Sequence, residues 1–170
     1  CLTDLYRAGK LPLRVTHNDT KINNVLFSPE TKEAMIVIDL DTVMPGLMGH
    51  DFGDAIRFAA NRVEEDCTDY DQAQVNLDVF RAFAEGFLSM TAKTMTDTEV
   101  KTLAMSCFDL TAELATRFLA DYLDGDLYFN IRRPDHNLVR ARCQIALAKD
   151  MLKNMDKMEA IVEQCIRNSQ

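Results

Sequence analysis

Hydrophobic positions follow two different periods along the chain, and the period changes near residue 50. Before that point, short apolar runs predict three β-strands, over residues 13–15, 25–27 and 34–40. The second and third runs are separated by SPETKE, whose proline and polar residues are typical of a hairpin loop. We therefore expect these two strands to pair as a hairpin.

Helical periodicity dominates the rest of the chain. Apolar side chains recur at helix spacing in DFGDAIRFAANRV, which begins at Asp51. Thr96 and Glu99 form a capping-box signature at the start of a long helix, and Asp156 is a candidate cap of the last one. The pattern predicts five helices. The first begins near residue 51, the second covers about 70–91, the third runs from 96 to about 123, the fourth from near 134 to about 155, and the fifth covers 157–168.

Three short strands followed by five helices predict a mainly α chain of the α+β class with a small β-hairpin. Strand and helix patterns do not alternate after residue 50, which excludes a doubly wound parallel sheet for most of the chain. The 170 residues correspond to one domain, and a domain of this size buries roughly 70% of its unfolded surface. The opening CLTDLYRAG has the pattern of a helix tail, so we expect a piece of a longer protein.

Charge and cysteine spacing argue against several classes of function. A net charge of -8 disfavours binding to nucleic acid and to anionic membrane surfaces. No apolar run approaches the ~20 residues that a membrane-spanning helix needs. The five cysteines, at positions 1, 67, 107, 143 and 165, include no C-x-x-C pair, which disfavours a disulfide framework and a zinc ribbon. We expect reduced thiols and a cytoplasmic location.

Polar chemistry concentrates in two stretches beside the predicted hairpin. THNDTKINNVLF, residues 16–27, is a polar loop that leads into a strand, and VIDLD ends the next strand in Asp39 and Asp41. If the strands pair, Asn24 and Asp39 lie near the same end, and their oxygens can bind one Mg²⁺ ion. Asp19 would lie near that metal without binding it, and its carboxylate could accept the proton of an attacking hydroxyl.

The spacing H-x-D-x-x-x-x-N, at His17, Asp19 and Asn24, is followed by a strand and VIDLD. This pattern resembles the catalytic loop and metal-binding strand of the kinase-like phosphotransferases, the aminoglycoside phosphotransferase and choline kinase group. The resemblance implies that Asp19 is the catalytic base, that Asn24 and Asp39 bind Mg²⁺, and that ATP is the phosphoryl donor. It also implies that His17 and Asp51 support the loop.

Longer stretches carry a narrower resemblance. VIDLDTVMPG, DFGDAIRF and DYLDGDLYFNIRRPDHNLVRARCQ are together similar to the N-acetylhexosamine kinase branch, which phosphorylates the anomeric hydroxyl of an amino sugar. Residues 1–170 would then form a carboxy-terminal lobe that binds a sugar or amino alcohol. The chain has no G-x-G-x-x-G and no Walker A motif, so an amino-terminal nucleotide-binding lobe is expected to be absent from it. Asn18 stands where the group commonly has Gly.

Several residues keep more than one interpretation. Asp41 is a second metal ligand, a substrate contact or a turn cap. Arg57 reaches the substrate or a phosphate, or it is ion-paired. One of four arginines around the start of the helix predicted from near residue 134 could line a sugar pocket, and the others would lie on the surface: Arg132, Arg133, Arg140 and Arg142.

Two rival functions also fit part of the sequence. VIDLDTV matches the D-x-D-x-[TV] signature of haloacid dehalogenase-type phosphatases, with Asp39 as nucleophile and Asp41 as general acid. That fold needs further parallel strands, whereas helices are predicted after residue 50. A non-catalytic kinase-like module that binds a partner or a sugar is the third hypothesis.

Overall fold

The computed structural model describes residues 2–169, which contain six α-helices and four short β-strands, and it confirms the mainly α fold. The helices are α1 Leu2–Arg7, α2 Met48–Ala59, α3 Leu77–Thr91, α4 Asp97–Leu123, α5 His136–Lys153 and α6 Met155–Asn168. The strands are β1 Arg14–Thr16, β2 Val25–Phe27, β3 Ala34–Val37 and β4 Met44–Gly46. Cys1 lies outside the described residues. None of the helices within residues 2–169 combines the length and apolar character that crossing a bilayer requires.

Both sheets of the described chain are two-stranded and antiparallel. β2 pairs with β3, with Val25 opposite Val37, so the predicted hairpin is confirmed. β3 ends at Val37 instead of residue 40, because Asp39 adopts a left-handed φ of 64° and starts a short 3₁₀ turn. β1 begins one residue later than predicted, at Arg14.

The fourth strand was missed, because VMPG reads as a chain break. Met44–Gly46 instead pairs with β1, and Pro45 lies opposite Val15. A two-stranded ribbon tolerates a proline because each strand has an edge that makes no ladder hydrogen bonds. This ribbon brings the segment after the hairpin back beside the polar loop that follows β1.

Two helices start earlier than predicted. α2 begins at Met48 after Leu47, so Asp51 lies inside its first turn and does not cap it. α6 begins at Met155, and Asp156 lies within that helix, where it cannot act as the cap. Neither helix has a side-chain cap hydrogen bond at its observed start, although Asn154 stands at the N-cap position of α6.

The caps of α3 and α4 are made by side chains. The predicted capping box at Thr96 and Glu99 is present at the start of α4. Asn76 caps α3 by accepting hydrogen bonds from the backbone amides of Asp78 and Val79. The predicted helix over 70–91 therefore starts only at residue 77, after a separate 3₁₀ turn at Tyr70–Gln72.

The core lies among α2–α6, and α2 is fixed in it from two sides. The Phe52 ring packs edge-on against Phe83 and Phe87 of α3, with ring centroids 5.5 and 5.1 Å apart. On its other side, α2 crosses α4 so closely that a Cβ added at Gly53 would lie 2.5 Å from the Ser106 carbonyl oxygen. Residues on the first turns of α2 therefore have well-fixed positions.

The hairpin, by contrast, lies in solvent. All four residues of β3 are exposed, and Met35 and Ile36 retain 69% and 57% of their accessible surface. Leu26 and Phe27 on β2 are also exposed. The hairpin thus adds little buried area to the core.

Candidate active site

The polar loop of residues 17–24, here called the base loop, is attached to α2 through Asp51. The two oxygens of the Asp51 carboxylate accept the backbone N–H groups of His17 and Asn18, over 2.8 and 2.7 Å. The Thr20 hydroxyl donates to the Asp51 carbonyl over 2.6 Å. Because α2 is packed in the core, these contacts hold the loop against a rigid element. A residue that supports the base loop needs such hydrogen bonds to the loop backbone, and Asp51 makes them.

His17 and Asn18 join the base loop to the segment after β3. His17 Nε2 lies 3.0 Å from the Ile38 carbonyl oxygen, and the His17 carbonyl accepts the Thr42 hydroxyl over 2.7 Å. Asn18 adopts a φ of 62° and donates from its side-chain amide to the Thr42 carbonyl. This left-handed φ explains why glycine suits position 18, and asparagine tolerates it better than most other residues.

Asp19 is held in place by two neighbours of the same loop. Its Oδ2 accepts Lys21 Nζ over 2.7 Å and Asn24 Nδ2 over 2.9 Å. The Asn24 amide also donates to the Asp19 carbonyl over 2.8 Å, and Asn24 is buried. The Asp19 side chain keeps 29% of its surface exposed, so it is oriented and still accessible to a ligand.

The hairpin register places Asp39 near Asn24 along the backbone. The Asn24 carbonyl accepts the Ile38 N–H over 2.9 Å, and Asp39 follows directly. Asp39 and Asp41 are both exposed, Asp39 at the start of the 3₁₀ turn and Asp41 within it. Neither residue lines the cleft into which Asp19 faces. The structure therefore brings Asp19 and Asn24 into contact, and it places both Asp39 and Asp41 outside the lining of the cleft.

The donor set fits a magnesium ion that is bound together with phosphate. Within residues 2–169, no group of three or more His, Cys, Asp or Glu side chains could hold a metal on its own. The candidate set is Asn24 with Asp39. Asn24 Nδ2 is engaged by Asp19, which leaves Oδ1 as its ligand atom. Mg²⁺ commonly takes one or two protein oxygens and completes its shell with phosphate and water.

An open cleft of about 940 Å³ extends from Asp19 along α4. Asn18, Asp19 and Lys21 lie at one end of it. Its volume is in the range of small-molecule sites. A small polar molecule in the cleft would lie beside the Asp19 carboxylate.

Aromatic side chains beyond the base loop form an apolar wall of the same cleft. They come from α4 and from residues 124–135, here called the aromatic loop: Phe118, Tyr128 and Phe129. The Arg117 guanidinium lies 5.6 Å from the Tyr128 ring centroid and 5.4 Å from that of Phe129. This wall combines flat apolar surface with a cation.

Asp121, a residue that the sequence did not single out, holds the aromatic loop. Its buried carboxylate accepts the backbone amides of Tyr128 and Phe129 over 2.8 and 2.9 Å, and the Asn137 side-chain amide over 2.8 Å. Burial opposes ionisation, but hydrogen bonds from the Phe129 and Tyr128 amides outweigh it and lower the pKa of Asp121. The carboxylate thus stays ionised and fixes the aromatic wall.

Arg57 lines the cleft in ion-paired form. Its Nε and Nη2 donate to Asp54 Oδ1 over 3.1 and 2.9 Å, and its Nη1 donates to Glu65 Oε1 over 2.7 Å. Its side chain is 7% exposed. Of the four arginines that were candidates for a sugar pocket, Arg140 lines this cleft. Arg133 instead pairs with Asp66.

Comparison with protein-family models gives a match to part of the chain. The model described as the phosphotransferase enzyme family, APH, matches residues 2–85, just under half of the chain. The matched part contains the base loop, both β-ribbons and α2. The match supports the kinase-like, aminoglycoside phosphotransferase family and indicates a phosphotransferase function.

Proposed function

We propose that the chain is the catalytic, substrate-binding lobe of an ATP-dependent small-molecule kinase. The enzyme transfers the γ-phosphoryl group to a hydroxyl, for which the best candidate is the anomeric hydroxyl of an N-acetylhexosamine. One observation carries the proposal: the Asp19 carboxylate is oriented by Asn24 and Lys21 at the end of a cleft of sugar-accommodating size. The phosphotransferase family match over the same residues supports it.

Asp19 has the geometry of a general base. Both of its side-chain contacts use Oδ2, which leaves Oδ1 to accept a hydrogen bond from the acceptor hydroxyl. As the hydroxyl oxygen bonds to the γ-phosphorus, its proton passes to Asp19 and the bond from phosphorus to the β–γ bridging oxygen breaks, releasing ADP. Mg²⁺ held by Asn24 and Asp39 would neutralise charge on the phosphoryl group.

The aromatic wall of the cleft suits a sugar or an amino alcohol. The apolar face of a sugar ring can pack on the flat rings of Tyr128 and Phe129. Hydroxyl and acetamido groups can hydrogen-bond to charged side chains of the lining, such as Arg117. ATP would bind between this lobe and an amino-terminal lobe of the same protein. That lobe would supply the phosphate-covering loop that the chain lacks.

The rival functions receive less support. A haloacid dehalogenase-type phosphatase carries its nucleophile on a parallel sheet, whereas both sheets within residues 2–169 are antiparallel ribbons. A purely binding module gives no reason for the paired Asp19 and Asn24 side chains.

The test uses the full-length protein with Mg-ATP and a panel of hexosamines, with ADP and sugar phosphate measured together. We expect Asp19→Asn to lower kcat by at least ~10²-fold with little change in KM for ATP. Asp4→Asn, an exposed aspartate on α1, is the matched control and should leave kcat unchanged. Near-normal turnover by Asp19→Asn would contradict the assignment. Phosphate release from a phosphomonoester, abolished by Asp39→Asn, would favour the phosphatase.

A further inference from the structure

A series of charged side chains lies between the base loop and the aromatic loop. Asp54 lies 3.4 Å from the Thr20 hydroxyl of the base loop, and it binds Arg57 over 2.9 Å. Arg57 binds Glu65 over 2.7 Å, and the other Glu65 oxygen lies 3.7 Å from Nε of Arg140. All of the charged members line the cleft.

Arg140 continues the series into the aromatic loop. Its Nη1 donates to the Asn130 carbonyl and to the Asn137 side-chain oxygen, each over 3.1 Å. Its guanidinium also lies 5.3 Å from the Phe118 ring centroid. Glu65, on the connection between α2 and α3, therefore links α2 to the aromatic loop by charge, in addition to the hydrogen bonds by which Asp121 of α4 holds that loop.

Stability alone does not account for this series. The side chains of Arg57 and Asp54 are 7% and 14% exposed, and desolvation offsets much of the attraction of such buried pairs. A buried ion pair can instead serve to fix one arrangement of the groups around it. Here the groups on either side are the base loop and the aromatic wall.

We propose that Arg57 and Glu65 are positioning residues, which set the separation between the base loop and the aromatic loop. This inference rests on the proposed kinase function. The acceptor packs against the aromatic loop while its hydroxyl must meet Asp19 on the base loop. A change in the separation therefore moves the hydroxyl away from the carboxylate. Neither residue touches the reacting atoms.

The first variant is Glu65→Gln in the full-length enzyme, which keeps the size of the side chain and removes its charge. We expect kcat/KM for the acceptor to fall on the order of 10- to 100-fold, since a misplacement near 1 Å costs that much. KM for ATP should change by less than about 2-fold, because this pair lies on the acceptor side. Glu163→Gln, which removes one partner of an exposed pair on α6, is the control and should change neither value.

A double-mutant cycle tests whether the two residues act as a unit. Arg57→Gln combined with Glu65→Gln should be no worse than the more impaired single variant. Glu65→Asp keeps the charge and should recover part of the lost acceptor kcat/KM. Additive losses in the cycle would overturn the proposal, as would an equal rise in KM for ATP and for the acceptor.

Hydrogen exchange separates this proposal from the proposed function. In Glu65→Gln, backbone amides of 127–131 and 17–24 should exchange faster, while those of α3 should not change. If the wild-type enzyme phosphorylates no acceptor but this exchange pattern is found, the coupling holds and the kinase assignment fails. If the enzyme is active and exchange in both loops is unchanged, the positioning role is wrong.

Discussion

Asn24 donates through its side-chain amide to both the carboxylate and the backbone carbonyl of Asp19, over 2.9 and 2.8 Å. Its own carbonyl accepts the N–H of Ile38 from the far side of the hairpin. One buried asparagine thus links the candidate base to the strand that precedes Asp39. The proposed base and the proposed metal site therefore depend on the same side chain.

Removal of the carboxylate at position 39 should weaken nucleotide binding. In the full-length enzyme, Asp39→Ala would remove one of the two protein oxygens of the proposed magnesium site. We expect the Kd for Mg-ATP to rise by at least about 10-fold, the scale on which losses around a metal site act. Isothermal titration measures it, with Glu33→Ala, an exposed hairpin carboxylate, as the control. Unchanged binding of Mg-ATP by Asp39→Ala would rule out its metal role.

Asp51→Ala should loosen the base loop. It leaves the amides of His17 and Asn18 without their acceptor, which costs about 1–3 kcal/mol in the free energy of unfolding. Urea titration measures this loss, and kcat should fall with it. Asp97→Ala is the matched control, because Asp97 also lies in the first turn of a helix. It should cost at most about 1 kcal/mol. Equal losses of unfolding free energy for the two variants would show that Asp51 stabilises only the start of α2 and not the base loop.

Gly53→Ala should separate α2 from α4. The added Cβ would lie 2.5 Å from the Ser106 carbonyl oxygen, and backbone cannot yield as a side chain does. Overpacking of this kind costs about 1–3 kcal/mol in the free energy of unfolding. Gly86→Ala on α3 is the control, since its Cβ would meet nothing within 4 Å. It should stabilise the protein by about 0.5–1 kcal/mol, and a loss there of the same size as at Gly53 would contradict this explanation.

The ion pair between Arg14 and Glu99 should make stability depend on pH in the acid range. Burial raises the pKa of Glu99, but hydrogen bonds from Arg14 and Thr96 outweigh it, so the pKa lies below its ordinary value of 4.5. A lowered pKa contributes stability that is fully present above pH 4.5 and is lost as pH falls through the folded-state value. The difference in unfolding free energy between wild type and Glu99→Gln should therefore be constant above pH 4.5 and shrink below it. A difference that is the same at pH 3 and pH 7 would exclude this linkage.

The features that the sequence predicted depend on signals between residues close together in the chain. The hairpin, the capping box of α4 and the H-x-D-x-x-x-x-N loop each depend on residues near one another in the chain, and these gave the fold class and the expectation that Asp19 lies near the proposed metal ligand Asn24. The direct hydrogen bond between the two side chains was not predicted. The left-handed backbone at Asn18 also agrees with the glycine that resembling proteins carry there.

The features that the sequence did not predict depend on contacts between residues far apart in the chain. Glu65 bonds to Arg57, eight positions earlier, and lies near Arg140 on another helix, with no motif around it. Asp121 lies inside a stretch noted for its resemblance, yet its role depends on amides of a loop that folds back over it. The strand at 44–46 was missed for the same reason, because its partner β1 lies about 30 residues earlier.

The exposed hairpin has a consequence for handling the protein. Its strands carry Leu26, Phe27, Met35 and Ile36 in solvent, and each has an outer edge without a partner strand. Unprotected apolar edges of this kind recruit further copies into mixed sheets. Residues 1–170 produced alone should therefore aggregate as concentration rises, which light scattering would detect. Charged substitutions at Met35 and Ile36 should keep the preparation monodisperse.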